Sequence, residues 1–177
     1  MKSNPTSMRC RRLALSALAA IAFAAVPATH VTAQDIGLPI GAKPVAARVE
    51  DLDGNTVDLS SHIGTKPVLV EFWATWCEQC RALEPRLDAA KKKFGDRVEF
   101  LIVAVAVNQT PRQIRRHLEG HPPPGPVFYD RRGEAVRAFA APTTSYIAIL
   151  DATGKVVYTG SGADQQIAEA LAKVTGG

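Results

Sequence analysis

The chain has 177 residues, of which 46% are hydrophobic, enough for one domain with a sizeable core. Its formal net charge of +4 comes from residues 1–33, which hold Lys2, Arg9, Arg11 and Arg12 and no acidic residue. The other 17 of the 21 basic residues equal the 17 acidic ones in number. The net charge of residues 34–177 is therefore zero, without the basic surplus of a nucleic-acid-binding domain. A local basic patch is compatible with this sum, but we expect no nucleic-acid partner.

Residues 1–33 have the pattern of an export signal. A basic stretch is followed by an apolar one from Leu13 to Val26, and the small residues at 31–33 supply a cleavage site. The apolar stretch of about 14 residues is shorter than the roughly 20 that span a bilayer. We therefore predict a signal peptide over 1–33 and one periplasmic domain over 34–177. An uncleaved signal that acts as a membrane anchor is the alternative.

The remainder alternates predicted strands and helices. Val45–Leu52 and Asn55–Leu59 flank the turn signal Asp53-Gly54 and predict an N-terminal β-hairpin. Val68–Trp73 is apolar except at Glu71, which predicts a buried central strand. The later predicted elements are a helix over Glu78–Phe94, a strand over Val98–Val107, a helix from Thr110-Pro111, a strand over Val127–Tyr129, a helix over Glu134–Ala140, a hairpin of Ser145–Asp151 and Lys155–Thr159, and a helix over Ala163–Val174. This order predicts a three-layer α/β domain with a mixed central sheet flanked by helices.

Prolines interrupt two of these segments. Pro85 lies inside the predicted helix Glu78–Phe94 and should kink it, because proline removes a backbone donor. Residues 120–126 contain four prolines. This segment is therefore predicted to be a loop.

A Cys-x-x-Cys motif, Cys77 to Cys80, lies between the predicted central strand and the helix that follows it. The partial positive charge and free N–H groups of a helix N-terminus favour a thiolate on Cys77. Cys10, the third cysteine, would leave with the signal peptide. The pair then has no companion cysteines, which favours redox use over a disulfide scaffold. A purely structural bridge is the alternative, but so short a loop would stabilise the fold little.

A metal site is another interpretation of a cysteine pair, but a structural zinc site needs four ligands. His62, His117 and His121 lie at no recognisable spacing from Cys77 and Cys80. We predict that these three histidines are surface residues. We also predict no metal site and no cofactor.

Two motifs resemble the thioredoxin superfamily. The run 68–80 is similar to its active-site strand, loop and helix, and Pro85, eight residues after Cys77, matches its kinking proline. Ala141-Pro142-Thr143-Thr144 resembles the cis-proline loop that faces the active-site disulfide. The leading hairpin and the extra strand and helix near 98–119 resemble the exported thiol-disulfide reductases of the TlpA/ResA type.

The resemblance implies a mechanism and a substrate loop. Cys77 is the exposed nucleophile that attacks a substrate disulfide, and the more buried Cys80 then attacks Cys77 and releases the reduced substrate. Pro142 is expected in the cis form, which presents backbone to a substrate strand and keeps metal away from the thiols. Ala141 and Thr143 beside it belong to the same substrate-binding loop.

Three further residues near the motif have candidate roles. Glu71 lies on an apolar strand, where burial should raise the pKa of its carboxyl, and we hypothesise that it is the general acid/base for Cys80. The alternative interpretation is that Glu71 reaches solvent at the edge of the sheet. Trp76 is predicted to belong to an exposed apolar contact surface. Glu78, a carboxylate beside Cys77, disfavours the thiolate and argues for a reductant over a strong oxidant.

Together these observations predict a thiol-disulfide oxidoreductase, more specifically a reductase of protein disulfides, which we expect to be monomeric. The periplasm is oxidising, so a reductase there needs an upstream membrane thiol reductant. Cytochrome c maturation is one substrate route that the family suggests. The alternatives are a copper carrier with Cys77 and Cys80 as soft ligands, and a thiol peroxidase of the same fold.

Overall fold

The structure, a computed structural model, describes residues 36–176. The predicted signal peptide lies outside these residues, so its boundary stays a prediction. The described strands are β1 (Arg48–Glu50), β2 (Thr56–Asp58), β3 (Val68–Trp73), β4 (Glu99–Val105), β5 (Val127–Asp130), β6 (Tyr146–Leu150) and β7 (Val156–Gly160). The described α-helices are α1 (Glu78–Phe94), α2 (Pro111–Leu118), α3 (Glu134–Ala138) and α4 (Ile167–Thr175), and Leu59–His62 forms a 3-10 turn. None of these helices is long and apolar enough to cross a bilayer.

All seven strands form one mixed sheet in the order β2-β1-β5-β4-β3-β6-β7. β3 runs parallel to β4 and antiparallel to β6, and all six of its residues are buried. Because side chains alternate along a strand, β3 contributes to two cores, one on each face of the sheet. The predicted mixed sheet, the central strand and the leading hairpin are confirmed.

The two cores place helices on both faces of the sheet. On one face, Leu69 of β3 packs with Leu83 and Leu87 of α1 and with Leu171 of α4. The other core includes Phe72 of β3 and buried residues of α2 and α3. This is the predicted three-layer arrangement.

Most predicted boundaries hold within a few residues, and α1 matches its prediction at both ends, with Pro85 inside the helix. The closing helix differs, because it begins at Ile167 instead of Ala163. The buried side chain of Gln165 donates to the carbonyls of Ser145 and Gly162, at 2.9 and 2.8 Å. These bonds hold the segment before Ile167 as a loop against the core.

The expectation of a cis Pro142 is wrong for this structure. The described residues contain no cis peptide bond, so the Ala141–Pro142 bond is trans. The chain changes direction instead through left-handed backbone at Ala140 (φ 46°) and Ser145 (φ 62°). A trans bond also agrees with the intrinsic preference of X–Pro amides, about 0.5–1 kcal/mol.

Candidate active site

The redox pair lies where β3 gives way to α1. Cys77 is the N-cap residue of α1, and its Sγ accepts a hydrogen bond from the Cys80 backbone N–H at 3.1 Å. The two residues form a disulfide with their Cα atoms 5.3 Å apart, a separation within the normal range for such bonds. Cys77 is 7% exposed and Cys80 is fully buried. Cys77 is thus slightly more accessible than Cys80, but it is buried in the disulfide form and does not match the expectation of an exposed nucleophile.

A buried glutamine holds the loop that leads into Cys77. The side-chain oxygen of Gln109 accepts from the Thr75 N–H at 2.9 Å, and its side-chain nitrogen donates to the Val105 carbonyl at 2.7 Å. The Tyr129 hydroxyl donates to the Gln109 carbonyl at 3.1 Å. Sequence reasoning missed Gln109, because only the fold brings the end of β4 beside the active-site loop.

An apolar groove of about 310 Å³ lies beside the cysteine pair. The groove is lined by Trp76, Val105, Val107, Val136, Ala141, Pro142, Thr143 and Thr144. Trp76 is 49% exposed and Val107 is 53% exposed, and the indole N–H of Trp76 donates to the Val107 carbonyl at 2.8 Å. The structure thus brings together Trp76, Ala141, Pro142 and Thr143, the residues assigned from sequence to substrate binding and the proline loop. Exposed Val107 and partly buried Val136 were missed, because neither valine has a local signal that marks it as part of a groove.

Glu71 is a buried acid beneath α1. It is 3% exposed, and its Oε1 has no hydrogen-bond partner among the described residues. Burial, and to a lesser degree the charge of Glu84, raise the pKa of the Glu71 carboxyl to about 8. The predicted direction of the shift agrees with this environment. The alternative, an acid that reaches solvent at the sheet edge, is wrong because β3 is central.

Glu71 lines a second cavity, of about 290 Å³, which also includes Glu84, His117 and His121. We call this the His–Glu cavity. One ligand-type atom from each of Glu84, His117 and His121 lies within 4.8 Å of the others. The two imidazole rings stack with centroids 4.8 Å apart, and the ring of Trp73 lies 5.4 Å from that of His117. Sequence spacing did not reveal this group, because its members are close only in the folded chain.

The histidines only partly match the prediction that all three are surface residues. His121 is exposed, whereas His62 and His117 are partly buried. His62 pairs with Glu99 at 2.6 Å. Burial first, and then the neighbouring His121, lower the pKa of His117.

Comparison with known proteins decides the family, because the family model described as Redoxin matches residues 29–174. The chain belongs to the Redoxin family. Thiol-disulfide oxidoreductase ResA of Bacillus thuringiensis is 28% identical over 130 residues, which are 72% of this chain and 73% of that protein. Thioredoxin-like protein YneN of Bacillus subtilis is 26% identical over 126 residues, 70% of this chain and 72% of that protein.

A solved structure supports the same placement. The thioredoxin domain of a thiol-disulfide oxidoreductase from Bacteroides vulgatus superposes with a TM-score of 0.67 at 22% identity, covering 78% of this chain and 99% of that domain. This likeness shows a thioredoxin-like fold. The family match and the relatives show a TlpA/ResA-like thiol-disulfide oxidoreductase, and its Cys77 and Cys80 are joined by a disulfide.

Proposed function

We propose that this protein works as a reductase, which transfers two electrons from the Cys77–Cys80 dithiol to disulfides of other proteins. The observation that carries the proposal is the placement of Cys77. It caps a helix N-terminus, the preceding residue Trp76 lines an open apolar groove, and Cys77 retains 7% exposure whereas Cys80 has none. A polypeptide bound in the groove would therefore meet Cys77 before Cys80.

The reaction proceeds by two exchange steps. The Cys77 thiolate attacks one sulfur of the substrate disulfide, the substrate S–S bond breaks, and the other substrate sulfur leaves as a thiolate. Cys80 then loses its proton and attacks the Sγ of Cys77, which breaks the mixed disulfide. The substrate ends with two thiols, and the protein ends with its Cys77–Cys80 disulfide.

The groove residues supply substrate contact in this proposal. Trp76 and Val107 offer exposed apolar surface on one side of the groove. Ala141, Pro142 and Thr143 form the opposite side. Their backbone can pair with an extended substrate segment. The small side chain of Ala141 should discriminate little among the side chains of that segment.

Glu71 is the proposed general acid/base for Cys80. It lies on the sheet face that α1 covers, and Glu84, which shares its cavity, follows Cys80 by one helical turn, about 6 Å along the axis. Because burial raises the pKa of this carboxyl to about 8, its protonated and ionised forms are both populated in the pH range where thiols react, so it can take up and return a proton. If Glu71→Gln leaves both the rate and the pH profile of disulfide reduction unchanged, this role is wrong.

The cellular setting belongs to the same proposal. The signal pattern over 1–33 supports export to the periplasm, where a reductase must be recharged by a membrane thiol donor. Haem-site disulfides in cytochrome c maturation are one candidate substrate class.

The reduction potential of the pair tests the direction of electron flow. We would equilibrate the full chain, as a Cys10→Ser variant that leaves only Cys77 and Cys80, with glutathione buffers. A value near or below about −250 mV supports a reductant, and a value near about −120 mV overturns it in favour of an oxidant. In the same background, Cys77→Ser should reduce insulin only at background rate.

A complementary variant separates the roles of the two cysteines. Cys80→Ser should accumulate a mixed disulfide between Cys77 and the substrate, because the second exchange step is blocked. Mass spectrometry of the adduct reports which sulfur was attacked. If the Cys77→Ser variant forms an adduct through Cys80, and the Cys80→Ser variant forms none through Cys77, the roles of the two cysteines are reversed.

A further inference from the structure

The His–Glu cavity contains ligand-type side chains from two helices. Glu84 comes from the middle of α1, and His117 comes from the last turn of α2. His121 follows His117 by four residues. One oxygen or nitrogen of each side chain lies within 4.8 Å of the others. The group contains neither cysteine, so it is separate from the redox pair.

The end of α2 explains how two histidines come to face the same point. Residues four apart on a helix lie on one side of it, and two histidines at this spacing can share one metal ion. α2 ends at Leu118, but the N–H groups of Glu119 and Gly120 still donate to carbonyls of the last turn, each at 3.3 Å. The backbone therefore keeps turning, and His121 stacks on His117. The Nδ1 of His121 lies 3.8 Å from the Oε2 of Glu84.

An independent observation comes from the floor of the cavity. Glu71 lines it from β3, is 3% exposed, and has an oxygen with no hydrogen-bond partner among the described residues. A buried carboxyl without partners is costly, and a bound cation offsets that cost. Apolar residues that include Trp73 and Leu87 form the walls, which limits access of water to this oxygen.

We propose that the His–Glu cavity binds one divalent transition-metal ion of the zinc class, through His117, His121 and Glu84, beside the buried carboxyl of Glu71. Two imidazoles and a carboxylate form a donor set that zinc accepts, with the fourth position of the tetrahedron left for water, whereas magnesium and calcium prefer oxygen alone. Bonds of about 2.0–2.1 Å place tetrahedral ligand atoms roughly 3.3 Å apart. The three ligand atoms lie within 4.8 Å of one another, so they move closer together when the ion binds.

The charges around the cavity favour a cation. Glu84 and Glu71 supply carboxylates, and Asp88 adds a further acid at the same cavity. Arg81 is the opposing charge, since it acts on His117 electrostatically. The proposal does not depend on the direction of electron flow at the redox pair.

Metal titration of the oxidised protein isolates this site. We would use the untagged full chain with Cys10→Ser and the Cys77–Cys80 disulfide formed, so that no thiolate can bind metal. Isothermal titration with Zn²⁺ should give one equivalent, and Co²⁺ should give the visible spectrum of a tetrahedral nitrogen and oxygen site. Absence of stoichiometric binding by the oxidised protein would overturn the proposal.

Matched variants assign the ligands. His121→Ala changes an exposed side chain and His117→Ala a partly buried one, and each should weaken Zn²⁺ binding by more than about tenfold. His62→Ala is the control, since His62 pairs with Glu99 outside the cavity, and it should bind as the parent does. Unchanged affinity in folded His121→Ala would refute the site. Glu71→Gln should also weaken binding, because the buried carboxyl no longer offsets the charge of the ion, and unchanged affinity would show that Glu71 does not contribute to the site.

Discussion

One helix supports two chemically different regions about one turn apart. At its first turn, Cys77 and Cys80 follow Trp76, which lines an apolar groove, and the buried Gln109 side chain that holds Thr75 is hydrogen-bonded at both ends. Further along, the same helix contributes Glu84 to the His–Glu cavity, where the buried Glu71 has an oxygen without a partner. The N-terminus of α1 thus carries the cysteine sulfurs, whereas one side of α1 borders a cavity that contains ionisable side chains.

This difference shows how a shared scaffold separates its tasks. The redox end needs little charge of its own, because the helix N-terminus supplies donors and partial positive charge. The cavity has no such terminus, so its carboxyl depends on neighbouring side chains or on a bound cation. Four variants test whether the two regions are as distinct as their environments indicate.

The largest expected effect concerns Glu71 and the pH dependence of stability. Its pKa is about 8 when folded against a normal 4.5, so its favourable contribution is fully present below about pH 4.5 and is lost as pH rises through about 8. Glu71→Gln should remove this loss. Between pH 5 and 8 the free energy of unfolding of the parent should fall relative to the variant by a few kcal/mol, about 1.4 kcal/mol per pH unit.

Urea unfolding with a metal chelator at each pH gives the measurement. Glu50→Gln is the control, because a hydrogen bond from Arg131 lowers the pKa of exposed Glu50, which therefore does not titrate in this window. If the unfolding free energies of the parent and Glu71→Gln change in parallel with pH, the cavity does not raise the pKa of Glu71.

Gln109→Ala tests the hydrogen bonds at the redox end. Loss of the side chain leaves the Thr75 N–H without its acceptor, which should cost about 1–3 kcal/mol of unfolding free energy and slow insulin reduction. Gln113→Ala is the matched control, because Gln113 bonds only to the exposed cap of α2 at Thr110 and should cost about 1 kcal/mol or less. An equal slowing of reduction in both variants would contradict a specific role for Gln109.

Val107→Ser tests the groove by comparison with Val45→Ser. Both valines are exposed, but only Val107 lines the groove. Val107→Ser should raise KM for a protein disulfide by about three- to tenfold, consistent with the loss of roughly 1 kcal/mol of apolar burial. It should leave the reduction of a small disulfide unchanged. If Val45→Ser has the same effect on KM, the groove is not the contact surface.

Glu78→Gln should have the smallest effect. Removal of an exposed carboxylate beside Cys77 should make the pair more oxidising by less than about 30 mV, since that shift corresponds to about 1.4 kcal/mol. Glu169→Gln, which changes an acid in the first turn of α4, should leave the potential unchanged. A shift toward a more reducing value in Glu78→Gln would contradict the inferred influence of Glu78.

The sequence by itself determined the order of the elements, the bounds of α1, the central position of β3 and the redox pair. These features depend on periodicity and spacing over short stretches, such as the apolar run 68–73 and the two cysteines that follow it. The burial of Glu71 followed from the same local pattern, because an acid inside a central strand has no route to solvent.

Only the tertiary structure decided which distant residues meet. The contact of Gln109 with Thr75 joins positions 34 residues apart, and neither position has a local signal for the other. The same is true of Val107 in the groove and of Glu84 with His117 and His121. The trans Pro142 differs in kind, because it follows the local preference of X–Pro amides, whereas the family resemblance favoured the cis form. Long-range packing decides these contacts, because the local sequence around each residue does not specify which distant residue will be its neighbour.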